Sequence, residues 1–157
     1  MYPYVGKLAS ESKEAALAFT ARMTEIVGVV TLVLSVGLFF AAGPLSRLIL
    51  GEQFGASVAV IRILSSLPFV CSLSNIFGVQ IMINFGLKKT LTRILAIAGV
   101  VNVVLVFALV VPLRHIGVSI AVLLTEVAIM IATYVALQRN GLDVFRRHRT
   151  AEPEHGL

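Results

Sequence analysis

The stretch that decides the fold is residues 64–84, LSSLPFVCSLSNIFGVQIMIN. It is long enough to cross a bilayer, which takes about 20 residues of helix. It carries no formal charge, yet it contains four serines, two asparagines and a glutamine. Hydrocarbon offers no water to hydroxyl and amide groups, so each of them needs a protein neighbour or a wet cavity. We therefore expect this helix to lie inside a helical bundle and to line a polar path.

The composition of the whole chain predicts an all-α integral membrane protein. Of its 157 residues, 58% are hydrophobic and only 13% are charged, and the mean hydropathy is +0.97. A soluble domain carries about 25% charged residues, so this chain cannot hide its apolar surface in a water-facing fold. The one cysteine, Cys71, excludes a disulfide framework and a paired-cysteine metal site, and we expect it to be a small buried apolar residue.

Apolar segments separated by turn residues predict four transmembrane helices. Pro44 should interrupt the first of them and Pro68 should kink the second. An amphipathic helix at the membrane interface precedes the spans, and a basic tail follows them; no secretory signal peptide is expected. The predicted boundaries are the interfacial helix at 1–25, spans at about 26–50, 58–84, 92–113 and 116–138, and the tail at 139–157.

The positions of the basic residues predict the topology. Four spans place both termini on one side, and ten of the thirteen Lys and Arg residues fall on that side. Cytoplasmic loops carry the excess of Lys and Arg, so both termini should be cytoplasmic. Basic residues that report topology give no reason to expect a nucleic-acid partner. The ten are Lys7, Lys13, Arg22, Lys88, Lys89, Arg93, Arg139, Arg146, Arg147 and Arg149; the other three are Arg47, Arg62 and Arg114.

Four short patterns, taken in order, resemble a known family. They are Tyr2-Pro3 ahead of a polar helix, GPLSRLILGEQFGASVAVIRIL at 43–64, FGLKKT at 85–90 and IGVSIAVLLTE at 116–126. Together they are similar to the carboxy-terminal portion of the polysaccharide flippases, the O-antigen and exopolysaccharide translocators of the multidrug/oligosaccharidyl-lipid/polysaccharide exporter superfamily. The resemblance extends from Tyr2 to about Gln138.

The resemblance implies a function and a location. Such flippases move a polyprenyl-pyrophosphate-linked glycan across the bacterial cytoplasmic (inner) membrane, and they have about twelve or more spans in two halves. Four spans would be only the last part, so a missing amino-terminal half or a second membrane chain is the expected partner, besides membrane lipids. Two alternatives remain: a small homodimeric proton-coupled cation or drug exporter, and a non-transporting membrane subunit or remnant.

Glu126, near the middle of the fourth predicted span, is the candidate for proton or cation coupling. A charged side chain at the centre of a span costs about 2.5–3.5 kcal/mol on insertion scales, so it pairs, protonates or faces water. The alternative is a structural role, in which a hydrogen bond from this Glu to a neighbouring helix fixes the fourth span.

Polar residues on other spans are candidates for a substrate path. On a regular α-helix Ser65, Ser72, Asn75 and Gln80 share one arc, which either lines a path for a sugar or pyrophosphate group or makes interhelical hydrogen bonds. The same two alternatives apply to Asn102 on the third span. The guanidinium of Arg62, on the second span, could hold a pyrophosphate or extend to the outer headgroups. The path candidates are therefore Arg62, Ser72, Asn75, Gln80 and Asn102.

The sequence contains no pattern that predicts catalysis. It has no nucleophile–base pair, no glycine-rich phosphate loop and no metal-ligand spacing, so we expect no enzyme activity, no cofactor and no metal. Lys88, Lys89 and Arg93 should contact anionic lipid. Gly99, Gly117 and Ser119 should allow neighbouring helices to approach closely.

Overall fold

The computed structural model describes the backbone of residues 13–50 and 55–142, and the side chains of 19–48 and 57–142. The described elements are helical: α1 (Lys13–Leu50), α2 (Gly55–Leu64), α3 (Leu67–Asn75), a π-helix (Ile76–Met82) and α4 (Lys88–Arg139). Residues 1–12 of the predicted interfacial helix and 143–157 of the predicted tail lie outside the described residues, as does the 51–54 segment.

Helix α1 differs from its prediction in two ways. It runs without a break from Lys13 to Leu50, so residues 13–25 continue the first predicted span and do not form a separate interfacial helix. Pro44 lies inside it and does not end it. A proline removes one backbone donor, and a membrane helix tolerates that loss where neighbouring groups take over the freed carbonyl.

The second predicted span is built from three successive pieces. Helix α2 ends at Leu64, two turn residues follow, and α3 begins with Pro68 in its first turn, which confirms the predicted kink. The chain then continues from α3 into the seven-residue π-helix. A π-helix is rare and more widely wound than an α-helix, and nothing in the sequence predicted it.

Helix α4 is divided by one residue. Its 52 residues would extend about 78 Å as one straight helix, far more than the ~30 Å of a hydrocarbon core. Arg114 has φ 51° and ψ −129°, which separates a first arm (88–113) from a second arm (115–139). A Cβ on Gly117 would lie 2.1 Å from the carbonyl oxygen of Leu109, so the arms touch closely here, as predicted. Gly99, in contrast, has nothing within 4 Å of its Cβ position.

Contacts between the elements fix their relative directions. Thr31 and Ser35 of α1 bond to Ser72 and Phe69 of α3, respectively, so α1 and α3 are antiparallel. The arms of α4 are antiparallel too. Asn102 bonds to Thr125, and nearer to Arg114 in sequence Leu109 approaches Gly117.

The middle segment, which consists of α2, α3 and the π-helix, runs in the same direction as the second arm of α4. Cys71 lies next to Glu126, and seven residues further along both elements a Cβ on Gly78 would lie 3.9 Å from the Thr133 side chain. The segment made of α2, α3 and the π-helix contacts both α1 and α4. It is therefore the centre of the described bundle.

The apolar core lies at one end of the bundle. It joins the start of α1, the π-helix and both ends of α4. Helix α4 ends in a hydrogen-bonded cap, in which the N–H groups of Gly141 (φ 67°) and Leu142 donate to the carbonyls of Gln138 and Leu137, a geometry that favours glycine. The buried core residues are Ala21, Ile76, Phe77, Ile81, Met82, Leu91, Leu137 and Leu142.

The surface of the bundle is apolar, and several of its buried side chains are hydroxyls. Phe40 is 75% exposed and Val111 84%, whereas Thr24, Ser35 and Thr133 are buried. Small hydroxyl residues between helices and large apolar ones outside are typical of helices packed in lipid. Three described helical segments are long and apolar enough to cross a membrane, so this is a multi-pass membrane protein.

Candidate functional site

Hydroxyl groups of α1 make hydrogen bonds to the α3 part of the middle segment. The Oγ atoms of Thr31 and Ser72 lie 3.0 Å apart, and the Phe69 backbone N–H donates to Ser35 Oγ at 3.3 Å. Phe69 follows Pro68 in the first turn of α3, where backbone N–H groups have no partner within their own helix. Ser35 supplies that partner from a neighbouring helix. Ser72 is thus an interhelical contact in this bundle.

Glu126 contacts the middle segment on its opposite side. The Cys71 thiol lies next to the Glu126 carboxylate, and both side chains are half-buried. Glu126 is the only acidic residue between 55 and 142. A carboxylate in an apolar helix with a single weak thiol partner retains free acceptor sites, because an ionised carboxylate accepts at both oxygens. It therefore stays the candidate for proton or cation coupling.

The last turn of α3 and the π-helix contain two polar atoms that lack a partner among the described residues. They are Ser74 Oγ, at the end of α3, and Gln80 Oε1, in the π-helix; both atoms are buried. A buried polar atom without a hydrogen bond is costly and calls for an explanation. Short π-helical stretches are frequent at functional sites, so these two atoms belong to the candidate site.

Asn75 and Arg62 lie on the exposed surface of the middle segment. The Arg62 guanidinium carbon is 5.5 Å from the centre of the Phe39 ring on α1, within the range of a cation–π contact. An amide or a guanidinium that faces lipid is unfavourable unless protein, water or headgroups meet it. These two residues therefore indicate a polar surface that the described part of the chain leaves open.

Asn102 lies apart from these groups. Its amide donates to Thr125 Oγ1 at 3.0 Å, and Thr125 in turn donates to the Ala121 carbonyl at 2.8 Å. This hydrogen bond joins the two arms of α4, in line with the structural alternative for Asn102.

The structure divides the predicted polar arc. Ser72 contacts α1, Asn75 is exposed and Gln80 is half-buried. The arc assumed a regular α-helix, but the turn after Leu64 and the wider π-helical turns change the direction in which each side chain points. What the structure brings together is the middle segment with Glu126, through Cys71.

Sequence reasoning missed three partners. Cys71 was expected to be a small buried apolar residue, but it lies next to Glu126, the one acid between residues 55 and 142. Thr31 and Ser35 were not predicted to make interhelical contacts, because single hydroxyls in an apolar span are common. Their spacing of four residues, which places both on one helix face, was the available signal.

The chain is similar to two curated proteins. Over 107 residues it is 34% identical to the protein called "Putative O-antigen transporter" of Escherichia coli (strain K12), across 68% of this chain and 26% of that protein. A protein of the same name from Shigella dysenteriae is 29% identical over 131 residues, 83% of this chain and 32% of that protein. No family model and no solved structure matches the chain.

These relatives are named as transporters and not as enzymes. The chain spans about a third or less of their length. The resemblance to the polysaccharide flippases is confirmed by their names and by the apolar helices. The chain is a multi-pass membrane protein related to the O-antigen transporters.

Proposed function

We propose that this chain is the carboxy-terminal part of a flippase that moves a polyprenyl-linked oligosaccharide across the bacterial inner membrane. The observation that carries the proposal is the 34% identity to an O-antigen transporter over 107 residues. The buried hydroxyls and the polar groups of the middle segment support it, since a glycan needs polar surfaces to cross hydrocarbon.

The bundle makes four crossings. The middle segment runs antiparallel to α1 and parallel to the second arm of α4, and the two arms are antiparallel to each other. Each arm, at about 25 residues, would extend about 38 Å and suffices for one crossing. Alternating directions support both ends on one side, and the excess of Lys and Arg favours the cytoplasm for that side.

The chain forms one wall of the path and requires a partner. Arg62 and Asn75 are exposed in the described bundle, and Ser74 and Gln80 have buried atoms without partners there. The relatives are about three to four times longer than the matched segments. An amino-terminal half, or a second membrane chain, would cover the exposed polar side and complete the cavity.

Glu126 would serve as the coupling site in this cycle. The middle segment contacts it through Cys71, so a change in its protonation or cation binding would act on the helix that carries the path residues. Arg62 would meet the pyrophosphate at the outer part of the path by charge-assisted hydrogen bonds.

Segment exchange tests the proposed function. The region of the Shigella dysenteriae relative that matches this chain would be replaced by this chain, and O-antigen display would be measured in a strain lacking that transporter. We expect display to be restored. A second exchange, carrying Glu126→Gln, should reach the membrane in equal amount and display less O-antigen.

Two results would contradict the proposal. One is an exchanged protein that accumulates in the membrane at the normal level without any O-antigen display. The other is full restoration by this chain expressed alone, because it would remove the need for a partner.

A further inference from the structure

An apolar cavity lies between the two arms of α4, at the end of the hairpin that contains both the first and the last residues of the helix. Its volume is about 630 Å³. Ile94 of the first arm and Ala128, Ala132 and Val135 of the second arm form its walls, and Thr90 and Arg139 form its rim. The alanines create the space, because larger side chains at these positions would fill the gap between the arms.

The rim of this cavity carries one basic residue, and others lie at the same end of the hairpin. Arg139 lines it directly, and Lys88, Lys89 and Arg93 are exposed on the first two turns of the first arm, at the same end of the hairpin. Residues 88–142 contain one acid, Glu126, which lies more than three turns from Arg139. An anion at the rim therefore meets Arg139, and the one carboxylate of the described part of α4 lies far from it.

The dimensions of the cavity fit one leaflet. From Ala128 to Arg139 the second arm rises about 17 Å, close to half of the ~30 Å hydrocarbon thickness. A ligand with an anionic group at the rim would thus extend an apolar chain to about the bilayer centre. A second cavity, of about 180 Å³, continues between the arms and shares Ile94, Ala128 and Ala132 with the first. It gives the end of such a chain further room.

We propose that the space between the arms of α4 binds an anionic glycerophospholipid, with its phosphate at Arg139 and one acyl chain against Ala128 and Ala132. The depth of one leaflet favours a phospholipid over a long isoprenoid chain, which would extend beyond the bilayer centre. The site is separate from the path on the middle segment. It does not depend on the proposed transport function.

Native mass spectrometry of the purified full chain tests the site. The protein would be titrated with phosphatidylglycerol and, separately, with phosphatidylcholine of the same acyl chains. We expect one phosphatidylglycerol molecule to be retained in preference to phosphatidylcholine. Arg139→Gln should weaken phosphatidylglycerol binding about five-fold, since one basic residue near a membrane surface contributes about that factor. Arg47→Gln, an exposed arginine on α1, is the matched control and should leave binding unchanged.

A second pair of variants tests the apolar part. Ala132→Leu fills the cavity and should abolish the retained lipid, whereas Ala96→Leu, on the exposed surface of the same helix, should not. Arg139 is exposed, so its variant decides the matter even if Ala132→Leu fails to fold.

The proposal is wrong if phosphatidylglycerol and phosphatidylcholine bind equally, or if Arg139→Gln and Arg47→Gln behave alike. It is also wrong if undecaprenyl phosphate displaces phosphatidylglycerol and is not displaced by it, which would assign the cavity to an isoprenoid lipid. Retention of phosphatidylglycerol with all four variants behaving as expected would establish the site.

Discussion

The Cys71 thiol lies next to the Glu126 carboxylate, so that α3 faces the second arm of α4 at this pair. The pair consists of the only cysteine of the chain and the only acid between residues 55 and 142. The middle segment, which carries most of the candidate path residues, thereby contacts the one carboxylate of α3 and α4.

We expect the Cys71 thiol to donate a hydrogen bond to the Glu126 carboxylate, and such a bond should be visible in the infrared spectrum. Because the chain has one cysteine, its S–H stretching band arises from a single residue. Replacing Glu126 by Leu removes the acceptor, so we expect the band to move to the higher frequency of a free thiol. Asn102→Leu, which removes a polar group elsewhere in α4, should leave the band in place. An S–H band that is the same in the wild type and in Glu126→Leu would show that this bond is absent.

Gly117 should tolerate no side chain. In Gly117→Ala the new Cβ would lie 2.1 Å from the Leu109 carbonyl oxygen, and backbone must move to relieve that contact. We expect a loss of about 1–3 kcal/mol in the free energy of unfolding, the range for overpacking. Denaturation in mixed detergent, followed by circular dichroism, measures it.

Gly99→Ala is the control for Gly117→Ala. Its Cβ position has nothing within 4 Å, so the variant should be neutral or more stable by up to about 1 kcal/mol, the helix preference of Ala over Gly. Equal losses in both variants would contradict the close approach of the two arms at Gly117.

The hydrogen bond from Asn102 to Thr125 should contribute modestly to the hairpin. Interhelical hydrogen bonds in a membrane protein average about 0.6 kcal/mol in double-mutant cycles. We expect that coupling energy from Asn102→Leu combined with Thr125→Val. The control is the pair Asn84 and Thr125. The Asn84 amide donates to the Gln80 carbonyl and not to Thr125, so this pair should show no coupling. No measurable coupling between Asn102 and Thr125 would mean that the arms are aligned differently.

Arg114 should be a strained position. Its φ of 51° is unusual for a residue with a Cβ, and glycine adopts such angles at no steric cost. We expect Arg114→Gly to raise the free energy of unfolding by about 1 kcal/mol, and Arg114→Ala to leave it nearly unchanged. A destabilised glycine variant would argue that the guanidinium itself holds the turn.

Much of the bundle could be predicted because lipid imposes simple rules. Long apolar segments and Pro68 indicated where the helices lie to within a few residues, except at the start of α1. The break at Pro44 was wrong, since α1 is continuous from Lys13 to Leu50, and the interfacial helix at 1–25 is not confirmed. A sequence shows where a helix can end, but neighbouring helices decide whether it does.

The candidate site was harder to predict, because it depends on contacts between segments far apart in sequence. Glu126 was found by its charge alone. Its partner Cys71 was not, since a thiol is a weak donor that is more often an apolar filler. The π-helix also changed the directions of the side chains around Gln80, and no residue pattern signals such a helix.

Four crossings with both ends in the cytoplasm is the claim on which the path, the lipid site and the proposed function all depend. Reporter fusions that are active on only one side of the membrane, placed after Gly86, Arg114 and Gly141, test it most directly. We predict a cytoplasmic signal at Gly86 and Gly141 and a periplasmic signal at Arg114. A cytoplasmic signal at Arg114 would mean that α4 does not cross the membrane twice, and it would contradict the four-crossing bundle.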